Sequence, residues 1–113
     1  QPEQFYARKE EQPEIGRGAI SYRQVGHYHQ DRHIGMLRET LSPGADTGEE
    51  MLSHEGQECG VIVEGQLELT VGDEVTLLNV GDSYYFDSNR PHRFRNIGEV
   101  DCVLISANSP ASF

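Results

Sequence analysis

The sequence has no tryptophan, only two cysteines, few basic residues and no long apolar run. A membrane-spanning helix needs about 20 consecutive apolar residues, so the short runs exclude such a span. Two cysteines do not make the disulfide framework of a small secreted domain, and Cys59 and Cys102 are predicted to be buried thiols within strands. We therefore expect a domain without structural disulfides and a cytoplasmic location.

The shortage of basic residues limits the partners of the chain. Nine Lys and Arg residues stand against 19 Asp and Glu residues, so the formal net charge is −10. Duplex binding needs basic side chains that displace counterions from phosphates. Direct contact with nucleic acid is therefore not expected, although a simple bias toward acidic residues would give the same charge. Such a charge also suits a domain that resists non-specific association.

The chain of 113 residues contains 12 glycines and 5 prolines. They separate short apolar runs, which predicts short strands joined by tight turns. We predict eight or nine strands and no helix, the clearest strands covering residues 19–25, 34–41, 58–63, 66–71, 75–78, 83–86, 92–97 and 102–107. So many strands in one small domain favour a closed barrel or a double-sheet jelly roll, because either arrangement leaves few exposed edges.

The first part of the chain differs from the rest. Residues 1–14 carry six charged side chains and two prolines. This composition predicts a linker or an edge extension rather than a helix with an apolar face. We place the extension at residues 1–18 and the folded domain at residues 19–113.

A histidine string, His27, His29 and His33, follows the first predicted strand and resembles a metal site. Its neighbours are polar or charged, which is typical of an exposed loop. We therefore predict that these histidines are solvated and bind no metal.

A stronger candidate site is divided between two later segments. Glu58 begins an apolar strand, and burial of its charge is costly unless the carboxylate is paired or bound to a cation. His54 precedes that strand, and His92 begins another. Two histidines and a carboxylate form the ligand set that binds iron, manganese, zinc or nickel with positions left open. The residues alone also allow hydrogen-bonded pocket histidines, with Glu58 paired to one of the arginines at 90, 93 and 95.

Residues 44–96 resemble the cupin superfamily. The matching positions are His54, Glu58 and Gly65 in the first motif and Gly81, His92 and Asn96 in the second. The resemblance implies an all-β double-stranded β-helix, a jelly-roll barrel, from about residue 20 onward. Asp87, Asn89 and Leu52 depart from the motifs, with Leu52 standing where the first histidine belongs. The family's metal set of three His and one Glu is thereby reduced to His54, Glu58 and His92, and four-ligand oxygenase chemistry loses support.

A narrower resemblance covers residues 53–69, 85–96 and 105–113. These runs are similar to the C-terminal domain of bacterial regulators that join a helix-turn-helix to a cupin, among them the putrescine-pathway repressors. In that family the helix-turn-helix contacts DNA, and the barrel senses a small effector and helps the protein to dimerise. No stretch of this sequence resembles the helix-turn-helix, and residues 1–14 would occupy the interdomain linker. A start at Gln1 rather than Met is what a fragment of such a regulator would show.

Three functions are compatible with the sequence. The first is a dimeric effector-sensing domain with no catalytic residue, whose ligand pocket contains His54, Glu58, Tyr84, His92 and Phe94 with an arginine near the rim. The acidic charge would suit a cationic ligand, such as an amine, or an amino acid. The second is a stand-alone metal-dependent cupin enzyme, an oxygenase or an isomerase. The third is a binding or dimerisation module whose barrel is filled by side chains.

Overall fold

The computed structural model describes residues 3–48 and 50–113. These residues form one 3-10 helix, Lys9–Glu11, and eight strands: β1 Ile20–Val25, β2 Gly35–Leu41, β3 Gln57–Glu64, β4 Leu67–Val71, β5 Glu74–Leu78, β6 Ser83–Asp87, β7 His92–Arg95 and β8 Cys102–Ser109. Sheet A has the strand order β1-β2-β8-β3-β6, and sheet B has the order β5-β4-β7. All neighbouring strands are antiparallel. The predicted all-β jelly roll is confirmed.

All eight predicted strands are present, and their ends lie within two residues of the predicted positions. The largest shortening is in β7, which was predicted to continue to Ile97. Asn96 ends this strand because its side-chain amide donates to the carbonyl oxygens of Leu41 and Val100, each at 2.8 Å. Its side-chain oxygen accepts from the Gly98 amide at 2.9 Å, which turns the chain toward β8.

The core lies between the two sheets and is built from the inward faces of their strands. Its fully or mostly buried members are Leu41, Ala45, Ile62, Leu67, Leu69, Tyr84, Phe86, Phe94, Cys102 and Leu104. Cys102 is a free thiol in this core, as predicted, and burial raises its pKa to about 11. Cys59 is also free but only half-buried, because it lies on the outward side of β3.

Gly60 allows a close approach that fixes β3 against β6. It lies opposite Tyr84 in the pairing register, and a Cβ atom at this position would stand only 2.6 Å from the Tyr84 hydroxyl oxygen. The ring therefore packs over the glycine, as aromatic side chains often do across a sheet. The consequence is that Tyr84 comes near Glu58, two residues earlier on β3.

The segment between β2 and β3 covers the outer edge of β7. The Thr47 amide donates to the Phe94 carbonyl at 3.0 Å, and Leu52 exchanges two backbone hydrogen bonds with His92, each at 2.9 Å. The Arg93 guanidinium binds the carboxylate of Asp46, with Nε 2.9 Å from Oδ1. Because β7 pairs with β4 on its other side, it is held from both edges.

Part of the predicted N-terminal extension lies along β1. The Ile15 amide donates to the Tyr22 carbonyl at 2.9 Å, and the Gln24 amide donates to the Pro13 carbonyl at 3.0 Å. Residues 1 and 2 lie outside the described residues. The division into residues 1–18 and 19–113 remains a prediction.

Candidate functional site

Three side chains from different parts of the fold meet inside the barrel. His54 comes from the segment before β3, Glu58 from the start of β3 in sheet A, and His92 from the start of β7 in sheet B. The Glu58 Oε1 atom lies 3.6 Å from His54 Nε2 and 3.8 Å from His92 Nε2. The ligand atoms of all three residues lie within 4.8 Å of one another.

His92 is the most constrained member of this cluster. It is 1% exposed, and its ring packs against Phe86 with the centroids 4.9 Å apart. Its Nδ1 atom lies 2.8 Å from the Arg90 carbonyl oxygen. A carbonyl only accepts, so Nδ1 carries a proton and donates it, and Nε2 is the ring atom directed at Glu58.

The pKa of the Glu58 carboxyl reflects two opposing influences. Burial raises this pKa, while the nearby His92 and His54 rings lower it. The Tyr84 hydroxyl donates to Glu58 Oε2 at 3.4 Å, a long hydrogen bond that also favours the carboxylate. A cation bound between the three side chains would compensate the buried charge.

The three residues fit a divalent metal ion. Metal–nitrogen and metal–oxygen bonds are about 2.0–2.2 Å long, so ligand atoms around one ion stand roughly 3–4 Å apart. The separations of 3.6 and 3.8 Å between Glu58 and the two histidines agree with this requirement, and all three ligand atoms lie within 4.8 Å of one another. The carbonyl bound to His92 supplies the outer support that metal-binding histidines usually have.

Leu52 stands where a fourth ligand would be expected. Its backbone pairs with His92, and its side chain lines the same cavity as the three candidate ligands. A leucine cannot coordinate a metal, so the set keeps one carboxylate and two histidines.

The described contacts do not support the alternative in which an arginine pairs with Glu58. Arg93 binds Asp46 and holds the pKa of that carboxyl near 2, mainly through the side-chain hydrogen bonds. Arg95 Nε lies 3.0 Å from Glu68 Oε1. Within residues 3–48 and 50–113, Glu58 forms its ion pairs with two histidines, His54 and His92.

A cavity of about 60 Å³ opens beside the cluster. The residues that line it are Tyr22, Leu37, Glu39, Thr47, Leu52, His54, Glu58, His92, Phe94, Ser106, Ala107, Asn108 and Phe113. A water needs roughly 10–15 Å³ of such space, so a few waters or a slender ligand group would fit. The expected arginine at the rim is not among these residues. Of the other two predicted pocket residues, Phe94 lines this cavity, whereas Tyr84 stands behind Glu58 and lines a separate cavity next to β5.

Sequence reasoning did not single out Glu39, a second carboxyl in the cavity wall. Glu39 is 6% exposed, and the Ser106 hydroxyl donates to its Oε2 atom at 2.5 Å. Burial raises the pKa of Glu39 to about 7, and the nearby charge of Glu58 adds to this rise. The alternation of β2 could have indicated this buried carboxyl, because it places Glu39 on the same face as Leu37 and Leu41.

The histidine string between β1 and β2 is exposed, as predicted, with His27, His29 and His33 all facing solvent. Within the described part of the chain, the one group of three or more metal-ligating side chains is His54, Glu58 and His92. No helix in that part of the chain is long and apolar enough to cross a membrane.

The chain belongs to the cupin domain family, whose model matches residues 37–108. Among curated proteins, the HTH-type transcriptional regulator PuuR of Escherichia coli (strain K12) is 35% identical over 100 residues, which make up 88% of this chain and 54% of PuuR. The chain therefore spans about half the length of this relative. It is a cupin domain related to that of PuuR-type regulators, as the narrower resemblance predicted.

Solved structures support the same fold. An RmlC-like cupin from Shewanella frigidimarina has a TM-score of 0.79 and 21% identity, with 96% of this chain and 93% of that chain covered. The Cupin_2 domain of an XRE family transcriptional regulator from Enterobacter cloacae has a TM-score of 0.72 and 22% identity, with 81% and 97% covered. A sugar phosphate isomerase of the cupin superfamily from Silicibacter pomeroyi has a TM-score of 0.70 and 20% identity, with 80% and 59% covered. The fold alone thus does not separate regulators from enzymes.

Proposed function

We propose that this chain is the ligand-sensing cupin domain of a bacterial transcriptional regulator. The observation that carries the proposal is the small cavity on which His54, Glu58 and His92 converge, in a chain related to PuuR. Contact with DNA would fall to another part of the regulator, because this chain has a net charge of −10. A regulator that acts on DNA works inside the cell, so a cytoplasmic location is part of the proposal.

The proposal includes one divalent metal ion held by His54, Glu58 and His92. Zinc, iron, manganese and nickel all accept two histidines and a carboxylate with positions left open. When bound, the ion supplies positive charge and free coordination positions for a ligand. Phe94 lines the space beside this position, and Tyr84 supports Glu58 from behind.

The metal component is tested by elemental analysis of protein purified without a histidine tag. We expect near-stoichiometric metal in the wild type and in the control His29→Ala, which removes an exposed loop histidine. His92→Ala should lose the metal, because it removes a ligand that is 1% exposed and directed at the site. A metal-free wild type, prepared without chelators and unable to take up any of the four ions, would leave only an organic effector held by hydrogen bonds.

Sensing is tested by a thermal-shift screen of small metabolites, with and without added metal. A ligand at about 100 times its dissociation constant stabilises the folded state by about 2.7 kcal/mol, which is easily measured. The protein encoded by the complete gene should then change its affinity for its own promoter DNA when the ligand is added. Equal affinity in both conditions contradicts regulation by that ligand, because an effector must distinguish the two states.

A stand-alone metal-dependent enzyme, an oxygenase or an isomerase, is the second candidate. The three-ligand set with open positions favours it, and Leu52 counts against it because it reduces the ligand set. Turnover that requires metal and is lost in His92→Ala would support this candidate. A barrel filled entirely by side chains, the third candidate, does not agree with the cavity beside His92.

Self-association is the remaining part of the proposal. A row of uncharged side chains crosses the outer face of sheet A in one register: Val25, Met36, Ala107, Cys59 and Tyr85. Val61 lies beside this row and is 36% exposed, and Tyr85 is 67% exposed. We propose that a second copy of the chain covers this face, since two-fold pairing is the commonest form of association.

A further inference from the structure

We propose that a pocket on the outer face of sheet A, built around Arg23 and Arg38, binds the phosphate group of a small phosphorylated metabolite. The pocket has a volume of about 530 Å³ and is lined by residues of β1, β2 and the segment before β1. It shares no lining residue with the cavity inside the barrel. The site is therefore separate from the candidate metal ligands and does not depend on the sensing function.

The register of β1 and β2 places two arginines side by side. Arg23 lies directly opposite Arg38, and Ser21 lies opposite Thr40 in the same antiparallel pair. Both arginine side chains are on exposed positions of their strands. Like charges directly opposite each other on neighbouring strands destabilise a sheet. An anion that contacts both guanidinium groups would remove this repulsion.

The chain itself balances only one of the two charges. Arg23 Nε lies 3.7 Å from Glu14 Oε1, and Arg23 Nη1 donates to the Gln12 carbonyl at 2.9 Å. Within residues 3–48 and 50–113, the Arg38 side chain makes no hydrogen bond or ion pair. A guanidinium has five N–H donors in a planar fork that matches an oxyanion. Arg38 thus keeps its full donor capacity for a ligand.

The charges that line the pocket favour a dianion. Lys9, Arg23 and Arg38 contribute three positive charges and Glu10 contributes one negative charge, which leaves a local excess of two. A phosphate monoester carries about −1.5 to −2 charges at pH 7, whereas a carboxylate carries a single charge. The net charge of −10 does not prevent binding, because charges more than about 10 Å apart are largely screened at 0.1 M salt.

The pocket also has room for the organic part of the ligand. Its volume of about 530 Å³ falls within the range of about 300–1,000 Å³ that is usual for small-molecule sites, which is more than a lone phosphate fills. Thr40 and Gln12 line it as well, and their hydroxyl and amide groups can donate to the ligand. A bound metabolite would contact both the strands and the segment before β1, and would hold that segment on the sheet.

The test uses the whole chain and NMR titration of backbone amides with inorganic phosphate, phenyl phosphate and sodium acetate at matched ionic strength. We expect saturable shifts on β1, on β2 and in residues 9–12 with both phosphates. Acetate should bind roughly tenfold more weakly, because it carries about half the charge. Phenyl phosphate should bind more tightly than inorganic phosphate, because its organic part occupies the rest of the pocket.

Arg38→Gln should weaken the binding of phenyl phosphate about tenfold, because it removes a charge-assisted hydrogen bond. This exposed side chain has no protein partner within the described residues, so its replacement should leave the fold intact. Arg17→Gln is the matched control and should leave binding unchanged. It removes the same charge from an exposed position before β1 that does not line the pocket.

Equal binding of phenyl phosphate to the wild type and to Arg38→Gln would overturn the inference, and so would acetate binding as tight as that of phosphate. A preference for inorganic phosphate over phenyl phosphate would contradict the assignment to a metabolite. A wild type that binds no phosphate would also overturn it, and conversion of a dimer to a monomer by Arg38→Gln would then assign the arginine pair to contacts between copies of the chain. The sensing proposal is unaffected by these results, because the two cavities have no lining residue in common.

Discussion

At the residue scale, the chemistry of the cavity depends on two carboxyls whose surroundings differ. Glu58 faces two histidines that favour its charged form, whereas Glu39 has a hydroxyl partner and is deeply buried, which favours its neutral form. The same side-chain type thus stands in two electrostatic environments in one cavity. Each environment can be examined by changing one residue.

The raised pKa of Glu39 predicts a specific dependence of stability on pH. The folded protein keeps the Glu39 proton up to about pH 7, whereas the unfolded chain releases it near the usual value of 4.5. The free energy of unfolding therefore falls as pH rises from about 4.5 to 7, by about 3 kcal/mol for a shift of this size. Glu39→Gln should remove this loss, so its stability relative to the wild type should increase from pH 4.5 to pH 8.

Urea unfolding at several pH values measures this difference. Glu99→Gln serves as the control because it changes the same functional group at an exposed position. Parallel pH profiles for the wild type and Glu39→Gln would show that the Glu39 carboxyl is not perturbed in the folded protein.

Leu52 offers a gain-of-function prediction at the same scale. Its backbone is bonded to that of His92, and its side chain already lines the cavity. Leu52→His should complete the three-His, one-Glu set and raise metal affinity by at least roughly tenfold, since even outer-shell partners are worth 10–100-fold. Leu52→Phe is the matched control, with an aromatic ring that has no ligand atom. Competition with a chelator of known affinity gives the comparison, and equal affinities for the two variants would argue against a metal at this position.

At the element scale, strand positions were predictable, but contacts between segments distant in sequence were not. Alternation and glycine-bounded runs predicted every strand, and motif spacing identified His54, Glu58 and His92 as candidate ligands. Alternation in β2 contained the inward direction of Glu39, although the residue was not singled out, and its place beside Ser106 depends on the register of β2 with β8. Likewise, Leu52 lies opposite His92 only because the segment before β3 folds along β7. Local sequence carries little information about such long-range pairing.

Asn96 illustrates how one side chain connects several elements. It joins the end of β2, the end of β7 and the turn before β8 through three hydrogen bonds, and it is 1% exposed. Asn96→Ala removes the donor of the buried Leu41 carbonyl, of the partly buried Val100 carbonyl and the acceptor of the Gly98 amide, and each buried group left without a partner costs about 1–3 kcal/mol. We expect a total loss of about 3 kcal/mol or more in the free energy of unfolding. Asn89→Ala, at an exposed turn position, should stay within about 0.5 kcal/mol of the wild type. Similar values for both variants in urea unfolding would show that Asn96 does not join these elements.

At the scale of the whole molecule, the two sheets differ in their outer surfaces. Sheet A presents the continuous uncharged row from Val25 to Tyr85, and we have proposed a second copy of the chain as its partner.

Val61→Glu places a charge beside the centre of that row and should convert a dimer to a monomer. Val75→Glu introduces the same charge on β5 of sheet B, where the valine is 59% exposed, and should leave the dimer intact. Light scattering after size-exclusion chromatography measures both. A monomeric wild type at high protein concentration would contradict this interface.

The three candidate ligands lie on both sheets, which has a consequence for how the sheets are held together. Glu58 is carried by sheet A, His92 by sheet B, and His54 by the segment that lies along β7. An ion held by all three would link sheet A to sheet B at one end of the barrel. This link would oppose separation of the two sheets and would slow amide hydrogen exchange in both. Binding or loss of the ion inside the barrel would thereby affect the outer face of sheet A, because the ligand Glu58 directly precedes Cys59 of the uncharged row on β3.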